Sequence, residues 1–324
     1  MIKFLKENLF YLLVILIAIF LATYRLPYYI SSPGGTIDIG NRIEYSGIKE
    51  YKGSLNMLYV TQYEATIPTY LLSYLIKDWD LESIKESQIS NEDYKEIETR
   101  NKIMLDNSIN NATYVAYKAA GKEIEVTDKK NLVIGTIEDV DLKIGDELLK
   151  LNGEDIDNIN IIKEVIQDHE IGDVLEFSIK RDGKDKEIRV PIRDINKDKG
   201  IGIVMITNYE YETDPDVKLK FKKSESGSSG GLMMAISIYS AISGEDILKG
   251  RNIAGTGTID INGNVGEIDG VKYKIIGAVH DGMDVVLVPS DNYEEAIRVV
   301  NERNYDIEIV SVDTFEDAIS YLLK

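Results

Sequence analysis

At 324 residues the chain has room for two or three compact bodies, since single cores stop growing beyond roughly 250 to 300 residues. Its 37 basic against 56 acidic residues leave a formal charge of −19, and the resulting repulsion argues against nucleic acid as a partner. With no cysteine and two histidines, His169 and His280, thiol nucleophiles, disulfides and thiolate metal sites are excluded, and a base other than imidazole has to be considered for any serine nucleophile.

The first predicted element is an uncharged, apolar run from Leu9 to Tyr24. With Asn8 and Tyr24 at the interface and Lys3 and Lys6 snorkelling, it is expected to be a transmembrane helix. A cleaved signal peptide is the competing reading, but Ala22-Thr23-Tyr24-Arg25 makes a poor small-x-small cleavage site. Lys3, Lys6 and the amino terminus outweigh Glu7, so the expectation is a single-pass cell-membrane protein with a cytoplasmic N-terminus and everything after Arg25 extracytoplasmic. Ser31-Ser32-Pro33-Gly34-Gly35 reads as a turn-rich exit from that anchor. Leu55 to Tyr63 reads as a strand, and Pro68 opens a helix carrying Leu71, Leu72, Leu75 and Ile76. From Asn91 to Ala120 the chain is charged and proline-free, one or two helices read as a solvated connector or brace.

Beyond Gly121 the pattern turns to short alternating runs between turn residues, which marks a boundary. Leu132 to Ile137 is a strand, Gly145-Asp146 a turn, Ile159, Ile162 and Ile166 one face of a helix, and Asp182-Gly183 the turn of a hairpin. The Gly145-Asp146 turn, Asn152-Gly153 and the Arg181-Asp182-Gly183-Lys184 hairpin resemble a PDZ domain of the kind found in bacterial envelope proteases. The resemblance implies a peptide-binding groove between Leu132, Val133 and Ile134 on the strand and Ile162 on the helix, where an extended peptide adds as a strand. Val126 to Asn131 holds no glycine-containing carboxylate-binding loop, so a plain packing role stands beside it.

Gly227-Ser228-Ser229-Gly230-Gly231 then runs into an apolar helix that starts near Leu232. A serine at a helix start meets unpaired backbone N–H groups that stabilise a developing oxyanion. A flexible Gly/Ser linker is the bland alternative, opposed by the immediate helix. After a second glycine-rich block, Ala254 to Gly266, a helix from Val271 carries Lys274 with Gly270, Val271, Gly277 and Ala278 one turn away. Buried among such neighbours, an ammonium loses affinity for its proton and can serve as a base.

Three ordered motifs, Gly227-Ser228-Ser229-Gly230-Gly231, Ala254-Gly255-Thr256-Gly257-Thr258-Ile259 and Gly270-Val271-Lys272-Tyr273-Lys274, resemble the proteolytic domain of Lon peptidases. The whole chain is similar to the ATP-independent, membrane-anchored, PDZ-containing Lon-like peptidases of Gram-positive bacteria. The resemblance implies Ser229 as nucleophile, Lys274 as base with Lys272 as fallback, and Ser228, Gly230 and Thr256 as loop or oxyanion support. The family has proline before the serine and alanine after it; Ser228 and Gly230 stand there, and Ser228 is a second candidate nucleophile. The expected fold class is α+β: an N-terminal transmembrane helix (1–27), an α/β segment packing on the peptidase domain (28–121), a PDZ-like β-rich module (122–196) and a Lon-type proteolytic domain (197–324). The expected activity is serine endopeptidase cleavage of unfolded or extended protein segments, without metal or cofactor. A homo-oligomer is among the expected assemblies, and a non-catalytic peptide-binding scaffold is the rival.

Overall fold

The computed structural model describes residues 8–47, 51–86, 92–137, 140–195 and 197–324. Helix α1 (Leu9–Thr23) has 15 residues and is about 22 Å long at 1.5 Å per residue, against about 30 Å of bilayer hydrocarbon. Among the described residues no helix is long and apolar enough to cross a membrane. The expected transmembrane helix, with the single-pass topology and extracytoplasmic location drawn from it, is therefore corrected. The apolar run is cut short because Tyr24 leaves the helix in an extended conformation and Arg25 opens a strand. Lys3, Lys6 and Glu7, which set the expected orientation, lie outside the described residues.

Strand β1 (Arg25–Asp38) pairs antiparallel with β2 (Ser54–Thr66), with a register shift between Pro33 and Gly35. The segment expected as a turn-rich exit thus lies inside a strand, its proline and glycines at an irregularity that tolerates them. Helix α2 (Ile67–Ser73) follows, with Pro68 in its first turn and a Thr66/Thr69 capping box. Strand β3 (Asp80–Ser83) pairs with the first half of β1. Helix α3 (Tyr94–Ala119) is one uninterrupted helix, capped by Asp93 and Glu96. It is no solvated brace: Ser108, Ala112, Val115, Ala116 and Tyr117 are buried. Its inward stripe is built largely of small residues, so the surrounding charge masks it in the sequence.

Next come β4 (Glu123–Thr136), β5 (Glu147–Leu151), α4 (Ile159–Asp168), β6 (Val174–Arg181), β7 (Lys184–Pro191) and β8 (Ile203–Asp214). Their sheet runs in the order β8-β4-β5-β6-β7, all antiparallel. Asp182 and Gly183 take φ of 52° and 72°, the left-handed values of a two-residue hairpin turn, and hold Arg181 opposite Lys184. Val133, Leu148, Ile162, Phe177 and Ile179 form a core of their own. Asp146, 1% exposed, receives Arg181 Nε at 2.6 Å and the Lys143 N–H at 2.8 Å.

The remainder adds α5 (Gly231–Ser243), β9 (Asn252–Gly255), α6 (Val271–His280), β10 (Val285–Pro289), α7 (Ser290–Arg303), β11 (Glu308–Val312) and α8 (Phe315–Leu322). A six-stranded sheet runs β11-β10-β9-β2-β1-β3. Strands β9, β10 and β11 are parallel to each other and to β2, β1 runs against them, and β3, antiparallel to β1, runs in their direction again. The strands before the PDZ-like body are therefore members of the same sheet as those after it. Helices α3, α5 and α8 share one core on one face, and α6 and α7 share the other with Leu58, Ala254 and Val286. Helix α5 is buried from Gly231 to Ile238, which gives its first turn a fixed position.

Candidate active site

The loop before α5 is held through its carbonyl groups. The Ser228 carbonyl accepts from the Gly231 N–H and from the Ser108 hydroxyl, both at 3.1 Å. The Ser229 carbonyl accepts from the Gly257 N–H at 2.8 Å and the Thr256 hydroxyl at 3.0 Å. Among the described residues the N–H groups of Ser229 and Gly230 meet no acceptor. Unpaired donors beside a serine at a helix start suit an oxyanion. Gly230 is buried, whereas Ser228 and Ser229 are half-buried and line the same groove.

Helix α6 starts at Gly270, whose φ of 73° the left-handed region reserves largely for glycine. One turn on, Lys274 is 3% exposed and its Nζ donates to Thr256 Oγ1 at 3.1 Å. Burial lowers its pKa to about 8, and the carboxylate of Asp269 opposes that shift. Thr256 thus joins Lys274 to the loop before α5, donating onward to the Ser229 carbonyl. No hydrogen bond joins Ser229 Oγ directly to Lys274 Nζ among the described residues. Lys272 is directed elsewhere, its Nζ 2.5 Å from Asp80 on β3. His280 is exposed at the end of α6, and His169 caps α4 in the other body.

Ser229 and Lys274 open on a groove of 1720 Å³, larger than the roughly 300 to 1,000 Å³ of small-molecule sites and better matched to a length of polymer. Strand β9 accompanies β2 only from Ser54 to Met57. From Leu58 to Gln62 that edge of β2 has no strand beside it among the described residues, and Leu58, Tyr59, Val60 and Gln62 line the groove. The arrangement offers an extended chain a strand edge leading to a serine and a buried amine.

In the PDZ-like body, Val133 and Ile134 are buried on β4, Leu132 is half-buried beside them and Ile162 is buried on α4. One edge of β4 is occupied by the chain itself: Leu132 pairs with Ile206, Val133 with Met205 and Thr136 with Ile203. Ile203 and Met205 pack on the cluster that contains Val133 and Ile162. Just before β8, Lys199 Nζ donates to the carbonyls of Gln167 and His169 at the end of α4. A peptide joining that edge of β4 would have to displace β8.

The sequence reading of α3 as a solvated connector or brace left out its contacts with the loop before α5. The Gly227 N–H donates to the Asn101 carbonyl at 3.0 Å, Ser108 holds the Ser228 carbonyl, and Asn111 Nδ2 donates to the Ile259 carbonyl at 3.1 Å. Residues 101, 108 and 111 share a helical face, and that polar spacing was the available signal.

Residues 222–324 match the family of the Lon protease (S16) C-terminal proteolytic domain, and residues 112–192 match the PDZ domain family. Both domains are thus found in the chain, and the Lon homologues support a serine peptidase. The Lon protease of Neorickettsia sennetsu is 31% identical over 100 residues, and that of Campylobacter jejuni 34% over 100 residues. Each alignment covers 31% of this chain and 12% of the relative, so the chain spans a small part of those proteins' length. Among solved structures, the PDZ domain of an SdrC-like protein from Listeria monocytogenes is 22% identical. It covers 25% of this chain and 93% of its own, with a TM-score of 0.23.

Proposed function

We propose that the chain is an ATP-independent serine endopeptidase with a Ser229–Lys274 dyad, acting on unfolded or extended protein segments. The observation that carries the reading is a buried amine with its pKa lowered to about 8, tied through Thr256 to the loop of a serine that opens the same groove. Lys274 accepts the Ser229 hydroxyl proton as Oγ attacks the scissile carbonyl, and the Ser229 and Gly230 N–H groups hold the oxyanion. The protonated amine then gives its proton to the leaving nitrogen. Water enters, Lys274 takes a proton from it as the water oxygen attacks the acyl carbon, and that proton returns to Ser229 Oγ as the ester bond breaks.

Lys274 is favoured over Lys272 because the latter is engaged with Asp80 and not with the serine loop. The free edge of β2 supports this substrate class, since an extended backbone can add along it as a strand. Residues 1–324 contain no G-x-x-x-x-G-K-[ST] loop, so the proposed cleavage draws on no nucleotide bound by them. Fluorophosphonate labelling and casein digestion test the assignment. Ser229→Ala and Lys274→Ala are expected to abolish turnover, while Ser228→Ala and Lys272→Ala retain it. Equal activity in all forms refutes the dyad, and no labelling of the wild type favours a non-catalytic peptide-binding scaffold.

A further inference from the structure

Resting on the peptidase reading above, we infer that Ser108, on α3 and outside the stretch that matches the Lon family, is a positioning residue for the oxyanion hole. Ser108 is 2% exposed and touches neither the groove nor Lys274; its hydroxyl donates to the Ser228 carbonyl at 3.1 Å. That carbonyl belongs to the peptide unit whose nitrogen is the Ser229 N–H. A trans peptide is planar, with its N–H and C=O directed oppositely, so fixing the carbonyl fixes the donor. Two donors from different directions, Ser108 and the Gly231 N–H, hold the Ser228 oxygen on the side of α3 and α5. The Ser229 N–H is thereby aimed away from both helices, with no acceptor of its own among the described residues.

The loop itself supplies one hydrogen bond to that carbonyl, from the Gly231 N–H. It carries Gly227, Gly230 and Gly231 and no proline, so its backbone resists rotation of that peptide unit only weakly without a second hold from outside the loop. Close approach of α3 supplies the grip, and the packing is tight: a Cβ at position 231 would lie 2.6 Å from Ser108 Oγ. Asn101 fixes the other end of the loop through the Gly227 N–H. Removing the hydroxyl leaves the Gly231 N–H as the one remaining donor to the Ser228 carbonyl among the described residues and lets the Ser229 donor swing off the position the transition state needs. Ground-state binding along β2 does not use this donor and is left intact.

The test compares wild type, Ser108→Ala and Ser108→Cys for peptide hydrolysis, for affinity toward a peptide boronate that mimics the tetrahedral anion, and for affinity toward the uncharged product-length peptide. Ser108→Ala is expected to lower kcat by about tenfold to a hundredfold with KM within about twofold, and to weaken the boronate by a similar factor. Product-peptide affinity stays unchanged, and Ser108→Cys, with a weaker donor of similar shape, falls between. If Ser108→Ala does not fold, the cysteine variant carries the comparison alone. An unchanged kcat, or boronate and product affinity falling together, overturns the role of Ser108 while leaving the peptidase reading standing. A wild type that neither labels nor turns over overturns both.

Discussion

Replacing Lys274 by methionine should abolish hydrolysis and, at neutral pH, make the protein more stable. The lysine is 3% exposed and its pKa falls from 10.5 to about 8 on folding, the cause being burial. A shift of that size corresponds to about 3 kcal/mol of destabilisation at pH 7, where the unfolded chain keeps a well-solvated ammonium. Methionine fills similar volume without the charge but forfeits the bond to Thr256, about 1 kcal/mol, which leaves a gain of about 2 kcal/mol. Because the folded value is depressed, the unfolded state binds more protons between about pH 8 and 10.5. Wild-type stability therefore rises with pH across that window, while the methionine form does not titrate. The gap between the two should shrink by about 2 kcal/mol from pH 7 to pH 9.5, read by urea denaturation at both values. A methionine variant that is less stable at pH 7, or a gap that does not move with pH, would refute the buried-amine account. The same depressed value leaves about one amine in ten neutral at pH 7, against about one in 3,000 for an ordinary lysine.

Asp269→Asn removes the one charge that raises the Lys274 pKa, so the acid limb of the kcat/KM profile should move to lower pH; movement to higher pH contradicts the assignment. Thr256→Val deletes both the Lys274 and the Ser229 contacts of a residue 1% exposed, and should lower kcat by about tenfold and stability by about 1 to 2 kcal/mol, measured by steady-state kinetics and denaturation. Gly277→Ala would press a Cβ to 3.0 Å from the Gly35 nitrogen, a backbone atom that cannot swing aside. The expected cost is about 1 to 3 kcal/mol in a melt, with loss of activity because α6 carries Lys274. Arg181→Met strands the Asp146 carboxylate in the PDZ-like core, at a cost of about 3 to 5 kcal/mol, visible as early unfolding of that body in hydrogen exchange.

Local chemistry was legible wherever it is written in adjacent residues. The Asp182-Gly183 hairpin, the helix beginning just after Ser229 and the helix from Val271 with Lys274 in its second turn follow from turn residues and periodicity, and the structure has them at those positions. The apolar run from Leu9 misled because composition reports hydrophobicity but not where the helix stops, and Tyr24 ends it early. Helix α3 misled in the opposite direction, since a buried face that includes Ser108, Ala112 and Ala116 looks like a solvated one.

The sequence by itself determined the residue types available for chemistry: serines beside glycines at a helix start, lysines without cysteine, and a threonine between them. Tertiary structure decided what those residues are worth. Helix α6, which carries the buried Lys274, lies at Gly277 on the backbone of β1, more than two hundred residues earlier, and the free edge of β2 exists because β9 is short. Likewise, the strand β8 that runs along β4, and the serine on α3 that holds the Ser228 carbonyl, belong to segments far from their partners in the chain. Desolvation and hydrogen-bond direction depend on what surrounds a group in space, and periodicity along a chain carries no record of that.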